Sequence, residues 1–121
     1  MTDPHSDLID HLHLRVADLE ASRRFYRAAL AALGRTFTSH SDRHFACDPL
    51  WVDTADGQVS RVHFAFRAGD QQEVDRFYAA ALDAGGTDNG APGFRDYHPG
   101  YYAAFVLDPD GNNIEAVFHR R

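Results

Sequence analysis

The sequence predicts an α+β fold in which one strand–helix–strand–strand–strand unit, βαβββ, occurs twice. Three observations support this prediction: an internal repeat, alternation of apolar and polar residues where each copy begins, and helical spacing in the segment that follows. Residues 11–34 align with 63–86 without a gap, at an offset of 63 − 11 = 52, and 11 of the 24 positions are identical. Such a repeat indicates two copies of one structural unit.

Length and composition are those of one globular domain. The 121 residues are 44% hydrophobic and 25% charged, which is ordinary for a chain that buries its own core. We expect a single domain over 1–121, with a first module at about 8–53 and a second at about 61–119. The polar stretch 54–60 would join them.

Charge and cysteine usage limit the partners and the compartment. The net charge of −6 disfavours nucleic acids and anionic membranes, since both select basic surfaces. No apolar run approaches the length of a spanning helix, and the polar segment Met1–Asp10 has no signal-peptide core. Because Cys47 is the only cysteine, no internal disulfide can form, and we expect a cytoplasmic protein.

Each module opens on a segment that alternates as a half-buried strand does. One face is apolar in both copies, and the other carries a histidine and an arginine. The apolar positions are Leu12, Leu14 and Val16, then Val62, Phe64 and Phe66; the opposite positions are His11, His13 and Arg15, then His63, Ala65 and Arg67.

A helix is predicted after each opening strand. Asp18 and Asp70 occupy N-cap positions, and Asp70 with Glu73 has the form of a capping box. Apolar residues follow at helical spacing, and Gly34 and the pair 85–86 are plausible helix stops.

Shorter strands are predicted after each helix. In the first half they lie at about 35–38, 43–47 and 50–53. In the second half they lie near 87–88 and at 101–107 and 113–119, the last two joined by the turn sequence Asp108-Pro-Asp-Gly111.

The last strand supplies a carboxylate to the predicted polar face. If Ile114, Ala116 and Phe118 pack on helices, Glu115 faces the same side as His11 and His63. Two imidazoles and one carboxylate can bind a divalent metal and leave positions open for a substrate. The alternative is a polar sheet face whose side chains only hydrogen-bond to one another, because alternation does not prove that these strands are neighbours.

Three segments resemble the vicinal oxygen chelate superfamily, which includes glyoxalase I, bleomycin resistance proteins, fosfomycin resistance enzymes and extradiol dioxygenases. They are DHLHLRVADLEASRRFY at 10–26, VHFAF at 62–66 and FVLDPDGNNIE at 105–115. The resemblance implies two βαβββ modules whose mixed sheets form an open cup, which holds a divalent metal in the enzymes. On the matching motifs the metal ligands would be His11, His63 and Glu115, with Glu115 also catalytic. The resemblance also implies a homodimer.

One position departs from the glyoxalase I pattern. Those enzymes carry a fourth protein ligand, a glutamate late in the first module, where this chain has Leu50-Trp51-Val52. The departure weakens an assignment as glyoxalase I. Family members also differ in whether paired modules come from one chain or from two. If modules are exchanged between chains, His11 would lie far from His63 and Glu115 within one chain.

Further residues are candidates for contact with a substrate. The Gly- and Pro-rich segment 89–100 suits a loop that closes over a cup, and its His98 is the best candidate for proton transfer. The alternative is a surface loop whose aromatic residues cover a sheet edge, and Arg15 and Arg67 could equally be rim charges. The candidate substrate contacts are His13, Arg15, Trp51, Arg67, Arg95, Tyr97 and Tyr101.

The function expected from the resemblance is that of an enzyme that depends on a divalent metal, with iron, manganese, nickel or zinc as candidates. Its substrate would be a small molecule with vicinal oxygens, and its reaction of the lyase, isomerase or dioxygenase type. The metal would act as a Lewis acid. The alternative is a metal-free protein that binds a small molecule in the same cup, as bleomycin resistance proteins do.

Overall fold

The computed structural model describes residues 8–120, so residues 1–7, most of the polar opening segment, and residue 121 lie outside it. The elements follow the predicted order, with one additional short strand. They are β1 Leu12–Val16, α1 Leu19–Ala32, β2 Ser39–His40, β3 His44–Cys47, β4 Leu50–Thr54, β5 His63–Arg67, α2 Gln71–Asp83, β6 Thr87–Asp88, β7 Gly93–Phe94, β8 Tyr101–Leu107 and β9 Asn113–His119.

The first half of the chain forms a four-stranded mixed sheet in the order β1-β4-β3-β2. The opening strand β1 pairs in parallel with β4, so that His13 lies opposite Trp51 and Arg15 opposite Asp53. Strand β3 pairs antiparallel with the other edge of β4 and places His44 opposite Asp53. Opposed residues share a face of the sheet; the first polar face therefore comprises His13, Arg15, His44, Trp51 and Asp53.

The second half repeats this arrangement in a five-stranded sheet in the order β5-β9-β8-β6, with β7 also paired to β8. Strand β5 is parallel to β9 and places Ala65 opposite Glu115. Strand β8 is antiparallel to β9, with Phe105 opposite Glu115 and Tyr101 opposite His119. The second polar face therefore includes His63, Arg67, Tyr101, Phe105, Glu115 and His119.

Both helices begin at the predicted caps. Asp18 accepts a hydrogen bond from the backbone nitrogen of Ala21, and Asp70 accepts one from that of Glu73. Glu73 in turn accepts one from the backbone nitrogen of Gly69, 2.9 Å away. These bonds satisfy donors that have no partner within the helix.

One continuous hydrophobic core joins the two halves. It includes Leu14 and Val52 of the first sheet, Ile114 of the second, and Phe25 and Phe77 of the helices, all fully buried. The helices α1 and α2 contact each other. The hydroxyl of Tyr26 reaches from α1 into the second half and donates to Asp108 at 2.6 Å. Because each sheet packs its apolar face into this core, the polar faces are left outside it.

Two features of the structure differ from the sequence predictions. The strand predicted at 35–38 is wrong: the short strand β2 lies at Ser39–His40 and pairs with β3. Strand β7 is not predicted, because two residues, Gly93 and Phe94, carry no periodicity. The last strand, β9, has the predicted bounds and ends at His119, which pairs with Tyr101.

Within residues 8–120, no helix is both long enough and apolar enough to cross a membrane.

Candidate functional site

The two polar faces carry most of the predicted site residues. Side-chain exposure is 69% for His11 and 50% for His63, whereas Glu115 is only 3% exposed. The histidines are thus open to a ligand, while the carboxylate lies at the base of the second polar face.

His63 and Glu115 lie side by side. The Nε2 atom of His63 is 3.2 Å from Oε1 of Glu115. The Nδ1 atom of His63 is 2.8 Å from the carbonyl oxygen of Asn113, and because a carbonyl can only accept, Nδ1 carries the hydrogen. This bond fixes the ring orientation and turns Nε2 towards the carboxylate.

Tyr101 holds the other oxygen of the same carboxylate. Its hydroxyl donates a hydrogen bond to Oε2 of Glu115. Desolvation, followed by this hydrogen bond and the nearby negative charge, raises the pKa of Tyr101 to about 12. Tyr101 therefore stays a donor at neutral pH. Both oxygens of Glu115 are thereby positioned by neighbouring side chains.

The third predicted ligand lies elsewhere in the chain. His11 precedes β1, in the first half, and its Nδ1 is 2.7 Å from the carboxylate of its neighbour Asp10. Across residues 8–120, no three His, Cys, Asp or Glu side chains are grouped as metal ligands would be. The structure thus brings together two of the three predicted donors, His63 and Glu115, and leaves His11 apart.

The donor chemistry at the pair nevertheless suits a divalent cation. A histidine that binds through one ring nitrogen and donates the N–H of the other to a backbone carbonyl, beside a carboxylate held by an outer donor, is the arrangement found around bound metals. No lysine or arginine within residues 8–120 forms an ion pair with the buried Glu115. Two donors do not complete a site, which requires at least three protein ligands when one position stays open for substrate.

The first polar face forms a separate hollow of about 550 Å³. Its lining comprises Asp10, His11, His13, Asp48, Pro49 and Trp51. Nε2 of His13 lies 2.7 Å from Oδ1 of Asp53, and the indole nitrogen of Trp51 donates to Oδ2 of Asp53 at 3.3 Å. Desolvation by burial would raise the pKa of Asp53. The hydrogen bonds from His13 and Trp51 outweigh this effect, so the pKa of Asp53 is lowered.

Sequence reasoning assigned no role to His44, which stacks on Trp51. The two ring centroids are 4.1 Å apart and the planes differ by 7°. His44 and Trp51 belong to adjacent antiparallel strands and are diagonal neighbours on one face. The alternation of β3 places His44 on that face, but only the register reveals that it meets the indole.

His98 lies on the predicted loop, where its two ring nitrogens have partners within the chain. Nδ1 is 2.9 Å from the carbonyl oxygen of Pro99, and Nε2 is 3.1 Å from Nδ1 of His119. The two imidazoles stack, with centroids 5.1 Å apart. His98 also contacts the ring of Tyr101 edge to face, so the loop is anchored to the second polar face.

The remaining candidates lie around the two faces. The guanidinium of Arg95 stacks over Phe105, with its carbon 5.3 Å from the ring centroid, and donates to the carbonyl of Ala91. Tyr97 is 70% exposed and contacts the ring of Tyr101. Arg15 lines a depression formed with the linker, and Arg67 borders an apolar cavity between the two halves.

Known proteins resemble this chain in sequence. A family model for the glyoxalase/bleomycin resistance protein/dioxygenase superfamily matches residues 8–116. The uncharacterized protein YqjT of Bacillus subtilis is 34% identical, over 88% of this chain and 95% of that protein.

Solved structures agree with the sequence match. A glyoxalase/bleomycin resistance protein from Albidiferax ferrireducens is 31% identical and superposes with a TM-score of 0.80, covering 93% of this chain and 99% of that one. A lactoylglutathione lyase from Agrobacterium tumefaciens shares the fold at 23% identity and a TM-score of 0.65, over 96% of both chains. The chain therefore belongs to the glyoxalase/bleomycin resistance protein/dioxygenase superfamily.

Proposed function

We propose that the protein is an enzyme that depends on a divalent metal and acts on a small molecule with vicinal oxygens, by lyase, isomerase or dioxygenase chemistry. The observation that carries the proposal is the pair formed by His63 and Glu115, 3.2 Å apart. Glu115 is a buried carboxylate that is held by Tyr101. An iron, manganese, nickel or zinc ion bound there would act as a Lewis acid towards the substrate.

The third ligand in this proposal is His11 of the partner subunit in a homodimer. Within one chain, His11 lies just before β1, beside the first polar face, and does not reach the pair on the second polar face. In a symmetric dimer the first polar face of one subunit can oppose the second polar face of the other, and the same contact then occurs twice. Each dimer would contain two such sites.

The side chains around the pair have distinct roles in this proposal. Tyr101 holds Glu115 through Oε2 and leaves Oε1 directed towards His63. Asn113 fixes the tautomer of His63. Arg95, whose guanidinium packs over Phe105 next to Glu115 in the sheet, would orient the substrate.

Metal content tests the proposal. Purified protein is stripped with a chelator, reconstituted separately with iron, manganese, nickel or zinc, and analysed for bound metal beside Glu115→Gln. Glu20→Gln is the matched control, because it makes the same change on an exposed side chain of α1. Wild type and E20Q should retain metal that E115Q loses. Wild type that retains no more metal than E115Q would reject the proposed metal site, and absence of metal from both would favour a metal-free binding protein.

A further inference from the structure

We infer that Trp51 is a preformed stacking platform for a planar aromatic ring of the ligand. The inference rests on the proposed function, because it takes the first polar face as one wall of the ligand cup. It goes further by specifying a flat ring as part of the substrate.

The indole is held in place before any ligand arrives. Its nitrogen donates to Asp53, and Asp53 is itself held by His13 at 2.7 Å. A side chain fixed in its binding orientation loses little conformational entropy when a ligand binds, which raises affinity.

His44 supports the indole from one side. The imidazole lies nearly parallel to it, 4.1 Å away, and has a serine hydroxyl at each nitrogen, Ser39 at 3.1 Å and Ser41 at 2.7 Å. The supporting ring is therefore fixed as well. Both serines lie on or beside the short strand β2, which gives that strand a role in shaping the site.

Part of the indole surface is open. Trp51 is 39% exposed although the ring of His44 stacks on it. Trp51 also lines the 550 Å³ hollow together with His11 and His13. A ligand that reaches a metal held by His11 would therefore pass the exposed part of the indole.

A flat ring is the group that best uses such a surface. Offset stacking of two aromatic rings contributes to affinity beyond the burial of area. A saturated ring of equal size cannot approach the indole plane as closely over its whole area. The chain contains a single tryptophan, so its indole signal reports on this position alone.

The experiment compares catechol with cyclohexane-1,2-diol, which also carries two vicinal oxygens but is not flat. Affinities are measured calorimetrically for metal-stripped protein, because catechol chelates zinc more strongly than the saturated diol does, and the indole N–H resonance of Trp51 is followed by NMR with and without zinc. Catechol should shift this resonance saturably and bind about 2–12-fold more tightly than the saturated diol.

Two variants test whether the flat ring at position 51 causes the preference for catechol. Trp51→Phe keeps a flat surface and should retain most of the preference for catechol, whereas Trp51→Leu should abolish it. Equal affinity for the two diols in wild type, or an indole resonance that catechol does not move, would overturn the platform. Zinc content, measured separately with E115Q, tests the metal site, so failure of the platform and failure of the proposed function are distinguishable.

Discussion

The hydroxyl of Tyr101 donates a hydrogen bond to the buried carboxylate of Glu115. These residues lie on adjacent antiparallel strands of the second sheet. Tyr101 is thus positioned to orient the carboxylate that we propose as a metal ligand.

Replacing Tyr101 by phenylalanine should therefore weaken metal binding. Loss of an outer-shell partner typically costs about 10–100-fold in metal affinity. Competition with a coloured chelator measures the affinity of Y101F. Tyr97→Phe is the matched control, since Tyr97 contacts the ring of Tyr101 and is largely exposed. Unchanged affinity in Y101F would show that the hydrogen bond does not position a ligand.

The buried pair formed by Tyr26 and Asp108 should contribute to stability. Both residues lie in the interior, and Asp108 also accepts a bond from Asn112 at 3.0 Å. Removing the hydroxyl in Tyr26→Phe leaves a buried oxygen of Asp108 with fewer donors, at an expected cost of about 1–3 kcal/mol. Urea denaturation measures the free energy of unfolding. Tyr78→Phe, which removes an exposed bond to Asp88, should change it much less.

Alkaline pH should reduce the contribution of Tyr26 to the free energy of unfolding. Burial, and then the charge of Asp108, raise the pKa of Tyr26 well above its ordinary value. In the unfolded chain the hydroxyl ionises near pH 10, while in the folded protein it stays neutral to higher pH. The contribution of Tyr26 is therefore fully present below pH 10 and is lost as pH rises through the folded pKa. The free energy of unfolding should fall more steeply above pH 10 in wild type than in Y26F; parallel curves would contradict this.

Gly86 should not tolerate a side chain. A Cβ at this position would overlap Val106 Cγ1 and lie 2.7 Å from the ring of Phe25 and 2.8 Å from the carbonyl of Ala81. Gly86→Ala should destabilise the protein by about 1–3 kcal/mol, because overpacking forces neighbours to shift.

Gly69→Ala is the control for Gly86→Ala, since its Cβ would meet only the carboxylate of Glu73, at 3.3 Å. Thermal denaturation compares the two variants. Equal melting temperatures would contradict the close packing of the two halves at Gly86.

Much of the fold could be predicted because each signal is local. Alternation identified the faces of β1, β5 and β9, and the aspartates at 18 and 70 marked both helix starts. The α+β fold with two repeated units is confirmed by the structural match. The strand predicted at 35–38 was wrong because two-residue pairings such as that of β2 depend on neighbouring strands rather than on a pattern of their own.

Less of the candidate site than of the fold could be predicted from the sequence. Alternation determines which face of a strand a residue occupies, but not which strands face one another across modules or across chains. It therefore placed Glu115 with His63 and could not separate His11 from them. The contact between His44 and Trp51 depends on strand register, and the contact of His98 with His119 depends on the path of a loop. Metal binding by His11, His63 and Glu115 stays a prediction.

Complementation between two variants, each lacking one proposed metal ligand, tests most directly whether the metal site is shared between subunits. His11→Ala and His63→Ala are co-expressed with different tags, and the heterodimer is isolated by sequential affinity steps. In the proposed dimer, one of its two sites combines an intact His11 with an intact His63 and Glu115, so the heterodimer should bind about half the metal of wild type, while each variant homodimer binds little. A heterodimer that binds no more metal than the variant homodimers would contradict the account.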